Sequence, residues 1–469
     1  MRARRSISKS LVFLLAAALA MRLLVAYVIL PNAGHLLDIE WYWKWASALA
    51  KGGLGEFYAK TNDANYPPAY MYVLWIMGKV TLALAGASGI DVHKLAVWTL
   101  KFPPMLLDTA AGLLLYCIAR HCNTDCAKAE RIALLAAAVY LFNPVALYDS
   151  AIWGQTDAAG AFVTLLGVLA LLRWPPEIAA SVAVLAALVK PQFGVVMIPL
   201  IGIVLLRRHL VTENNLNGFT TRSRWNDRNG PWRILTSIAA AIAVFYVVIT
   251  PFNLGLGFFL KRMSETAQYF PFLSVNAFNP WALVGTNHDP ALIIAGLDNW
   301  VPDRDPLVGP VTGVAIGTTL LICGFLLGIA RLVWRSDWRS ILLVGAYLSL
   351  CFFILPTRVH ERYVFQAFAF AAILAAFDRR WLWITVLLAI GSLMNYQAAV
   401  SVDGSEELTR LPFNSLLRSK EGIFTSIMLQ TGAFAFALWS LRPSLSNVGS
   451  IESNLVSTFD VTRAPGSEH

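Results

Sequence analysis

The 469-residue chain is 57% hydrophobic and only 14% charged, whereas soluble domains carry about 25% charged residues. Many apolar runs reach about 18 residues, which is enough to span a bilayer as a helix. The composition therefore leaves little room for a soluble domain and predicts an all-α bundle of about twelve transmembrane helices. The net charge of +9 fits basic cytoplasmic loops and anionic lipid, because no basic cluster has the aromatic interleaving of a nucleic-acid surface.

The five cysteines are odd in number and do not indicate a disulfide framework. His121, Cys122, Asp125 and Cys126 lie close together in the sequence, but their spacing matches no standard zinc pattern. We predict free thiols here and no resident cofactor, and Mg²⁺ or Mn²⁺ remains a less favoured alternative.

The first predicted span is uncleaved, because its apolar run continues to Leu30 and exceeds the roughly 7–15 residues of a signal-peptide core. The predicted spans cover 9–30, 95–119, 130–148, 158–173, 178–189, 192–206, 234–252, 309–334, 340–356, 361–378, 381–398 and 422–441. They predict a core membrane module over 1–252 that includes a catalytic external loop at 31–94, a long external loop at 253–308, a C-terminal membrane module at 309–441 and a disordered cytoplasmic tail at 442–469.

The orientation follows from the arginine-rich loop 207–233, which we place in the cytoplasm together with both termini. Counting back from this loop, the apolar segment 67–86 must not cross the membrane, and we expect an outer-surface or re-entrant helix there. The same count requires a break at Lys190-Pro191, since proline cannot continue a helix without losing a hydrogen bond. The outer face then gathers Asp38, Asp157, Lys190, the 253–308 loop and His360.

Asp38 opens an amphipathic segment that directly follows the first span. On a helix, Glu40, Lys44, Ser47 and Lys51 form one polar stripe, while Tyr42, Trp45 and Leu49 fill the opposite side. This pattern is typical of a helix that lies in the membrane interface. A carboxylate at its start is well placed to act on a lipid-borne substrate, although Asp38 can also be a helix N-cap.

Other polar residues sit where apolar helices end, and charges at a membrane edge need a reason. The turn at Trp153, Gln155 and Asp157 suits a sugar or phosphate, unless it is an ordinary polar loop. Lys190 and Gln192 flank a helix break, and irregular backbone at membrane depth is tolerated where it is buried or lines a cavity. The run Arg358, His360, Glu361 and Arg362 is typical of a phosphate clamp or of an interface anchor. Asp108 is either a polar lock between helices or a secondary site residue.

In this order and spacing, these motifs resemble the C-type (GT-C) glycosyltransferases, over about residues 35–365. The similarity is to bacterial relatives of the second mannosyltransferase of GPI-anchor assembly and to the dolichol-pathway glucosyltransferases. The resemblance rests on Asp38, Asn65-Tyr66-Pro67-Pro68, Asp108, Trp153-Gly-Gln-x-Asp157, Lys190-Pro-Gln192 and His360-Glu-Arg-Tyr363. It implies seven core spans, two helices lying along the membrane in the first external loop, a polyprenyl phosphosugar donor and Asp38 as the catalytic base. Many members carry a paired acid at that position, whereas here Glu40 is two residues on.

The function that these expectations support is inverting transfer of a hexose, mannose first and glucose next, to a glycolipid, lipid-linked glycan or protein. Asp38 would take the acceptor proton, and Lys190, Arg358, His360 and Arg362 would hold the donor phosphate. Glu40, Tyr66, Trp153, Gln155, Asp157, Gln192 and Glu361 would bind substrate. One alternative is a transporter or flippase of polyprenyl lipids, which would place its charges at the midplane between repeated halves. Another is a catalytically inactive subunit that binds polyprenyl-linked lipids.

Overall fold

A computed structural model describes residues 8–123, 126–213, 219–221, 229–284 and 301–442. The C-terminal tail from 443 onward, residues 285–300 of the long loop and most of the arginine-rich loop, including Arg222, Arg224 and Arg228, lie outside the described residues.

The described chain is almost entirely helical, which confirms the predicted fold class. The α-helices are α1 (Lys9–Leu24), α2 (Leu36–Gly52), α3 (Phe57–Lys60), α4 (Pro68–Ser88), α5 (Val92–Cys122), α6 (Cys126–Leu141), α7 (Pro144–Leu147), α8 (Asp157–Arg173), α9 (Pro176–Val189), α10 (Pro191–Leu210), α11 (Trp232–Ile249), α12 (Leu256–Ala267), α13 (Gly313–Trp334), α14 (Trp338–Ile354), α15 (Phe365–Phe377), α16 (Arg379–Asp403), α17 (Glu406–Thr409), α18 (Asn414–Leu417) and α19 (Lys420–Ser440). Single π turns extend α1 over Val25–Ile29 and follow α7 over Tyr148–Trp153, and 3₁₀ turns cover Thr250–Phe252, Pro280–Leu283 and Glu361–Val364.

The strands form two small antiparallel ribbons. β1 (Val211–Glu213) pairs with β2 (Phe219–Thr221), and β3 (Pro306–Val308) pairs with β4 (Val311–Thr312). Both ribbons lie in segments that connect helices, so the membrane part of the described chain is helical.

Each predicted span coincides with a helix or with a helix and its short extension. By length and composition, eight helices of the described chain can cross a membrane, or nine if the pair bent by 50° at Asn143-Pro144 counts as one span. We expected about twelve. The difference comes mainly from α8, α9, α14 and α15, which have 17, 14, 17 and 13 residues. Helix α4 is among the eight, so its length also fits a span, and its surface placement stays a prediction.

The predicted break between α9 and α10 is confirmed. Lys190 is extended, with φ −153° and ψ 136°, and Pro191 begins the next helix. Helix α9 packs against both α10 and α11. One continuous set of buried apolar side chains reaches from Leu11 on α1 to Ala437 on α19. The helices of both predicted membrane modules therefore share one core.

Helix α2 is held close against α4 by a glycine. A Cβ on Gly78 of α4 would lie 2.1 Å from the carbonyl oxygen of Ala46 on α2, so no larger residue fits without moving one helix. This contact buries the Tyr42, Trp45 and Leu49 face of α2, while Glu40 and Lys44 stay exposed. The predicted two-sided pattern of α2 is therefore confirmed.

The end of α16 closes back on the start of the chain. The backbone N–H of Ser405 donates to the carbonyl oxygen of Gly34 at 2.9 Å, and Gly404 forms an isolated antiparallel bridge with His35. The Asn32 side chain also donates to Glu407 at 3.2 Å. The segment that leads into α2 is thus fixed by residues near the other end of the described chain.

Asp108 lies in a polar lock between α1, α5 and α6. Its carboxylate accepts from Arg22 Nε at 3.3 Å and from the Tyr140 hydroxyl at 2.7 Å. The side chains of Arg22 and Asp108 are fully buried. Asp108 does not line the cavity described below. Of the two roles that we considered for it, the geometry supports the lock.

Candidate functional site

Asp38 lies in the first turn of α2, and the residues before it explain why the helix begins there. His35 is the N-cap, and its Nδ1 accepts from the backbone N–H of Asp38 at 3.3 Å. The His35 ring also stacks on Trp153, with the ring centroids 5.1 Å apart. A carboxylate in a first turn is favoured by the helix dipole. His35, rather than Asp38, thus caps the helix, and the Asp38 side chain is available for other contacts.

Two side chains of the 153–157 turn donate hydrogen bonds to Asp38. Trp153 Nε1 and Gln155 Nε2 both donate to Asp38 Oδ2, each at 2.8 Å. Gly154 between them has φ +82°, a left-handed conformation that favours glycine. Because both donors bind the same oxygen, the lone pairs of Asp38 Oδ1 remain available to accept another hydrogen bond.

Gln155 connects Asp38 to a second set of polar side chains, which lie deeper in the protein. Its Oε1 accepts from the Tyr42 hydroxyl and from Lys190 Nζ, the latter at 3.1 Å. Lys190 also donates to Asp157 Oδ1 at 2.9 Å, and Gln192 donates to the same oxygen at 3.3 Å. Lys190 is only 2% exposed, and Gln155 and Asp157 are fully buried. Gln155, Asp157, Lys190 and Gln192 thus support Asp38 and do not line the cavity in front of it.

The opposite wall comes from the segment between α14 and α15. His360 pairs with the backbone of Val275 and Asn276, which aligns this segment with the long loop. Arg362 Nη1 donates to Glu361 Oε1 at 2.7 Å. The buried Nε of Arg362 has no hydrogen-bond partner in the described part of the chain. An arginine that is satisfied on one side only can bind an anion with the other.

These two walls enclose a cavity of about 300 Å³. Besides Asp38, its lining includes His35, Trp41, Tyr42, Trp45, Asp63, Asn65, Tyr66, Tyr269, Phe270, His360, Glu361 and Arg362. It therefore combines three carboxyl groups, one guanidinium and several aromatic rings in a single chamber, as small-molecule sites do.

The charges of the cavity are coupled. Burial is the largest influence on the pKa of Asp38 and raises it, but His35, Arg362, the hydrogen bond from Trp153 and Lys190 together lower the pKa below its ordinary value. Burial and the Arg362 charge hold the pKa of His360 well below its usual range. For Arg362, burial lowers the pKa, yet the carboxylates of Asp38 and Glu361 raise it well above the usual value. At neutral pH the cavity thus holds an ionised Asp38, a neutral His360 and a cationic Arg362.

Several sequence-based assignments change with this geometry: the five residues behind Asp38, with Lys190 among them, do not line the cavity, and three others also differ. Arg358 does not line the cavity; its Nε and Nη2 donate to Asp303 at 2.7 and 3.1 Å. Glu40 is exposed and lies outside the cavity lining, because residues two apart point to different sides of a helix. It therefore forms no paired acid with Asp38. His360 lines the cavity as predicted, but as a neutral ring rather than a cation.

The remaining predicted residues fall into two groups. Tyr66 and Glu361 line the cavity with Asp38, His360 and Arg362. Trp153, Gln155, Asp157, Lys190 and Gln192 form the layers behind Asp38.

Sequence reasoning missed His35, Trp45, Asn65 and Tyr269 as parts of the cavity. His35 directly precedes a predicted helix, so it could have been identified as a candidate N-cap. Trp45 and Asn65 stood in patterns that the sequence showed, but nothing local placed them or Tyr269 in one cavity, because they meet only through the packing of α2 and α12 on the loop before α4.

The fold and the cavity define a multi-spanning helical membrane protein in which the carboxylate of Asp38 lies at the wall of a chamber. The family model for "GPI transamidase subunit PIG-U" matches residues 48–283, which is half of the chain. The chain therefore belongs to the PIG-U family. The match is to this subunit, and the expected relation to the second mannosyltransferase of GPI-anchor assembly stays a prediction.

Solved structures of the oligosaccharyltransferase from Archaeoglobus fulgidus are also similar to this chain. The archaeal oligosaccharyltransferase AglB, in complex with an inhibitory peptide and a dolichol-phosphate, is 14% identical with a TM-score of 0.43, over 91% of this chain and 56% of that one. The same enzyme tethered to an acceptor peptide is 15% identical with a TM-score of 0.43, over 91% of this chain and 55% of that one. The chain thus spans a little over half the length of these structures. No curated protein matches it.

Proposed function

We propose that this protein is an integral-membrane glycosyltransferase of the C type. It transfers a hexose, mannose first and glucose next, from a polyprenyl-phosphate-linked donor to a glycolipid, lipid-linked glycan or protein. The observation that carries the proposal is the state of Asp38. One carboxylate oxygen is fixed by Trp153 and Gln155, while the side chain is still 21% exposed at the wall of the cavity. A carboxylate fixed on one oxygen and open on the other is the arrangement of a positioned general base.

The proposed reaction needs a base and a phosphate-binding cation. Asp38 takes the proton of the acceptor hydroxyl as the acceptor oxygen bonds to the anomeric carbon. The bond from that carbon to the phosphate oxygen breaks, and polyprenyl phosphate leaves with the electron pair. Attack from the face opposite to the phosphate inverts the anomeric centre. Arg362 stabilises the departing charge through its unpaired Nε. Lys190 acts only indirectly, because it does not line the cavity and donates to Gln155 and Asp157 behind Asp38.

The proposed orientation puts the cavity on the outer face of the plasma membrane, which in bacteria is the inner membrane. It rests on the basic loop 207–233, which the positive-inside rule places in the cytoplasm with both termini. The polyprenyl chain of the donor would lie between the helices, and its sugar would enter the cavity next to Asp38.

Family membership favours a second candidate, a non-catalytic subunit that binds lipid-linked glycans. The PIG-U match begins at residue 48 and ends at residue 283. It contains Tyr66, Trp153 and Gln155, but neither Asp38 nor Arg362. The family description therefore concerns the middle of the chain, while the proposed base and phosphate ligand lie on either side of it.

One assay separates these candidates. Purified protein in nanodiscs is given radiolabelled polyprenyl phosphomannose, then the glucose and pentose donors, with a mixed glycolipid acceptor, and free polyprenyl phosphate is measured. A glycosyltransferase releases it, and Asp38→Asn should lower turnover by about 10²–10⁴-fold, the usual worth of a positioned base. A binding subunit retains the donor without release, and a transporter moves it across the bilayer intact. Equal release by the wild type and Asp38→Asn would remove Asp38 from the base role.

A further inference from the structure

The Trp45 end of the cavity, about two turns of α2 after Asp38, contains two buried polar atoms that have no partner in the described part of the chain. They are Nε1 of Trp45, which is a donor, and Oδ1 of Asn65, which is an acceptor. Trp45 is only 3% exposed, and both residues line the cavity. A buried polar atom without a partner costs about 1–3 kcal/mol, and hydrogen bonds from a ligand to both atoms would offset that cost.

The surroundings of these atoms are aromatic on several sides. Trp45 lies 5.4 Å from Tyr66 and 6.1 Å from Trp41, between ring centroids, and Tyr269 lines the same end. The carboxylate of Asp63 is bound to Lys44 at the rim. Flat apolar walls with a few fixed polar groups suit a ring-shaped ligand that has apolar faces and polar edges.

We propose that this end of the cavity is a sugar-binding subsite, in which Trp45 and Asn65 together bind hydroxyls of one pyranose. A hydroxyl both donates and accepts, so one hydroxyl, or two on adjacent carbons, satisfies the indole N–H and the amide oxygen together. The ring faces of the sugar pack on Trp41 and Tyr269. The sugar belongs to the acceptor, because the donor sugar must sit between Asp38 and Arg362.

The assignment to the acceptor rests on the proposed glycosyltransferase activity, whereas sugar binding at Trp45 and Asn65 does not. A non-catalytic subunit that holds a lipid-linked glycan would use the same two atoms. The two ideas can therefore fail separately.

The test measures the binding of methyl α-mannoside and a short α-linked mannoside to the full-length protein in nanodiscs by saturation-transfer NMR. Trp45→Phe keeps an aromatic ring and removes the N–H, and Asn65→Leu removes the acceptor. Each should weaken binding about five- to tenfold, the loss expected for one hydrogen bond. The matched control is Trp75→Phe. Trp75 Nε1 is also buried without a partner among the described residues, but Trp75 does not line the cavity. The Trp75→Phe variant should therefore bind the mannosides with the affinity of the wild type.

The outcomes separate the subsite from the enzyme. The proposal is overturned if the mannosides do not bind the wild type, or if Trp45→Phe binds them as Trp75→Phe does. If the protein turns over donor but Trp45→Phe does not weaken mannoside binding, the glycosyltransferase activity is supported and the subsite is rejected. If Trp45→Phe weakens mannoside binding but the protein shows no turnover, the subsite is supported and the glycosyltransferase activity is rejected.

Discussion

Asp38 and Asp108 are both carboxylates in an apolar helical bundle, and the way each is held shows two different uses of a charge. Asp108 is fully buried, and both of its oxygens are taken by Arg22 and Tyr140. Asp38 has one oxygen held by two neutral donors and its facing cation, Arg362, bonded to Glu361 instead. A buried charge with a direct ionic partner fixes helices together. A charge that is oriented by neutral groups and left open on one side is available to a substrate.

The largest expected difference between the two is in stability. Asp108→Ala leaves Arg22 buried without its carboxylate and should lower the free energy of unfolding by about 3–5 kcal/mol. Asp38→Ala should lower it by only about 1 kcal/mol, because Trp153 and Gln155 then face a cavity that water can enter. Denaturant-induced unfolding in detergent measures both. Equal losses would mean that Asp38 is a structural residue as well.

The second difference is between Arg362 and Arg358, which sequence reasoning treated alike. Arg362→Ala should lower turnover by about 10–100-fold, the worth of a charged hydrogen bond, and should raise the donor KM by less, because the phosphate gains charge as the sugar departs. Arg362→Lys should restore turnover only in part, since a point charge cannot reproduce the guanidinium fork. Turnover and KM are measured with a labelled donor.

Arg358→Ala is the matched variant for this comparison. It removes the partner of the buried Asp303 and should lower stability while turnover per folded molecule stays unchanged. A loss of turnover in Arg358→Ala as large as that in Arg362→Ala would contradict the separation of the two arginines.

The smallest expected effect concerns His360 and pH. Its pKa in the folded protein lies well below the usual range, so the unfolded chain binds more protons as the pH falls below about 6.5. The native protein should then lose up to about 1.4 kcal/mol of stability per pH unit below that point. His360→Gln should reduce this loss. The stability of the variant relative to that of the wild type should therefore rise as the pH falls. Parallel curves from pH 7 to 5 would show that His360 titrates normally.

The fold could be predicted largely because its signals are local. Apolar runs gave every predicted helix, the Lys190-Pro191 dipeptide gave the break between α9 and α10, and the spacing of Tyr42, Trp45 and Leu49 gave the buried face of α2. The number of spans was harder to predict, because helices such as α15, with 13 residues, are apolar throughout but short. Composition alone does not reveal where such a helix ends.

The candidate site could be predicted only where a residue is unusual for its place in the sequence. Asp38, Trp153, Gln155 and Arg362 stood out as polar groups at the ends of apolar helices, and the structure brings them together. Arg358 stood out in the same way, but its partner Asp303 lies 55 positions away. Distant pairing of this kind decides which cation is open and which is neutralised, and a single sequence does not show it.

The closure of Gly404 and Ser405 onto Gly34 and His35 has a consequence for the order in which the protein is made. A ribosome delivers Asp38 and its helix early, but the residues that anchor the segment before it are synthesised near the end of the chain. Arg362 also emerges late. Until the segments that carry Arg362 and Ala399 are synthesised, the carboxylate therefore has no opposing wall, because both residues line the cavity. A nascent chain that stalls before residue 404 would carry Asp38 but no finished chamber.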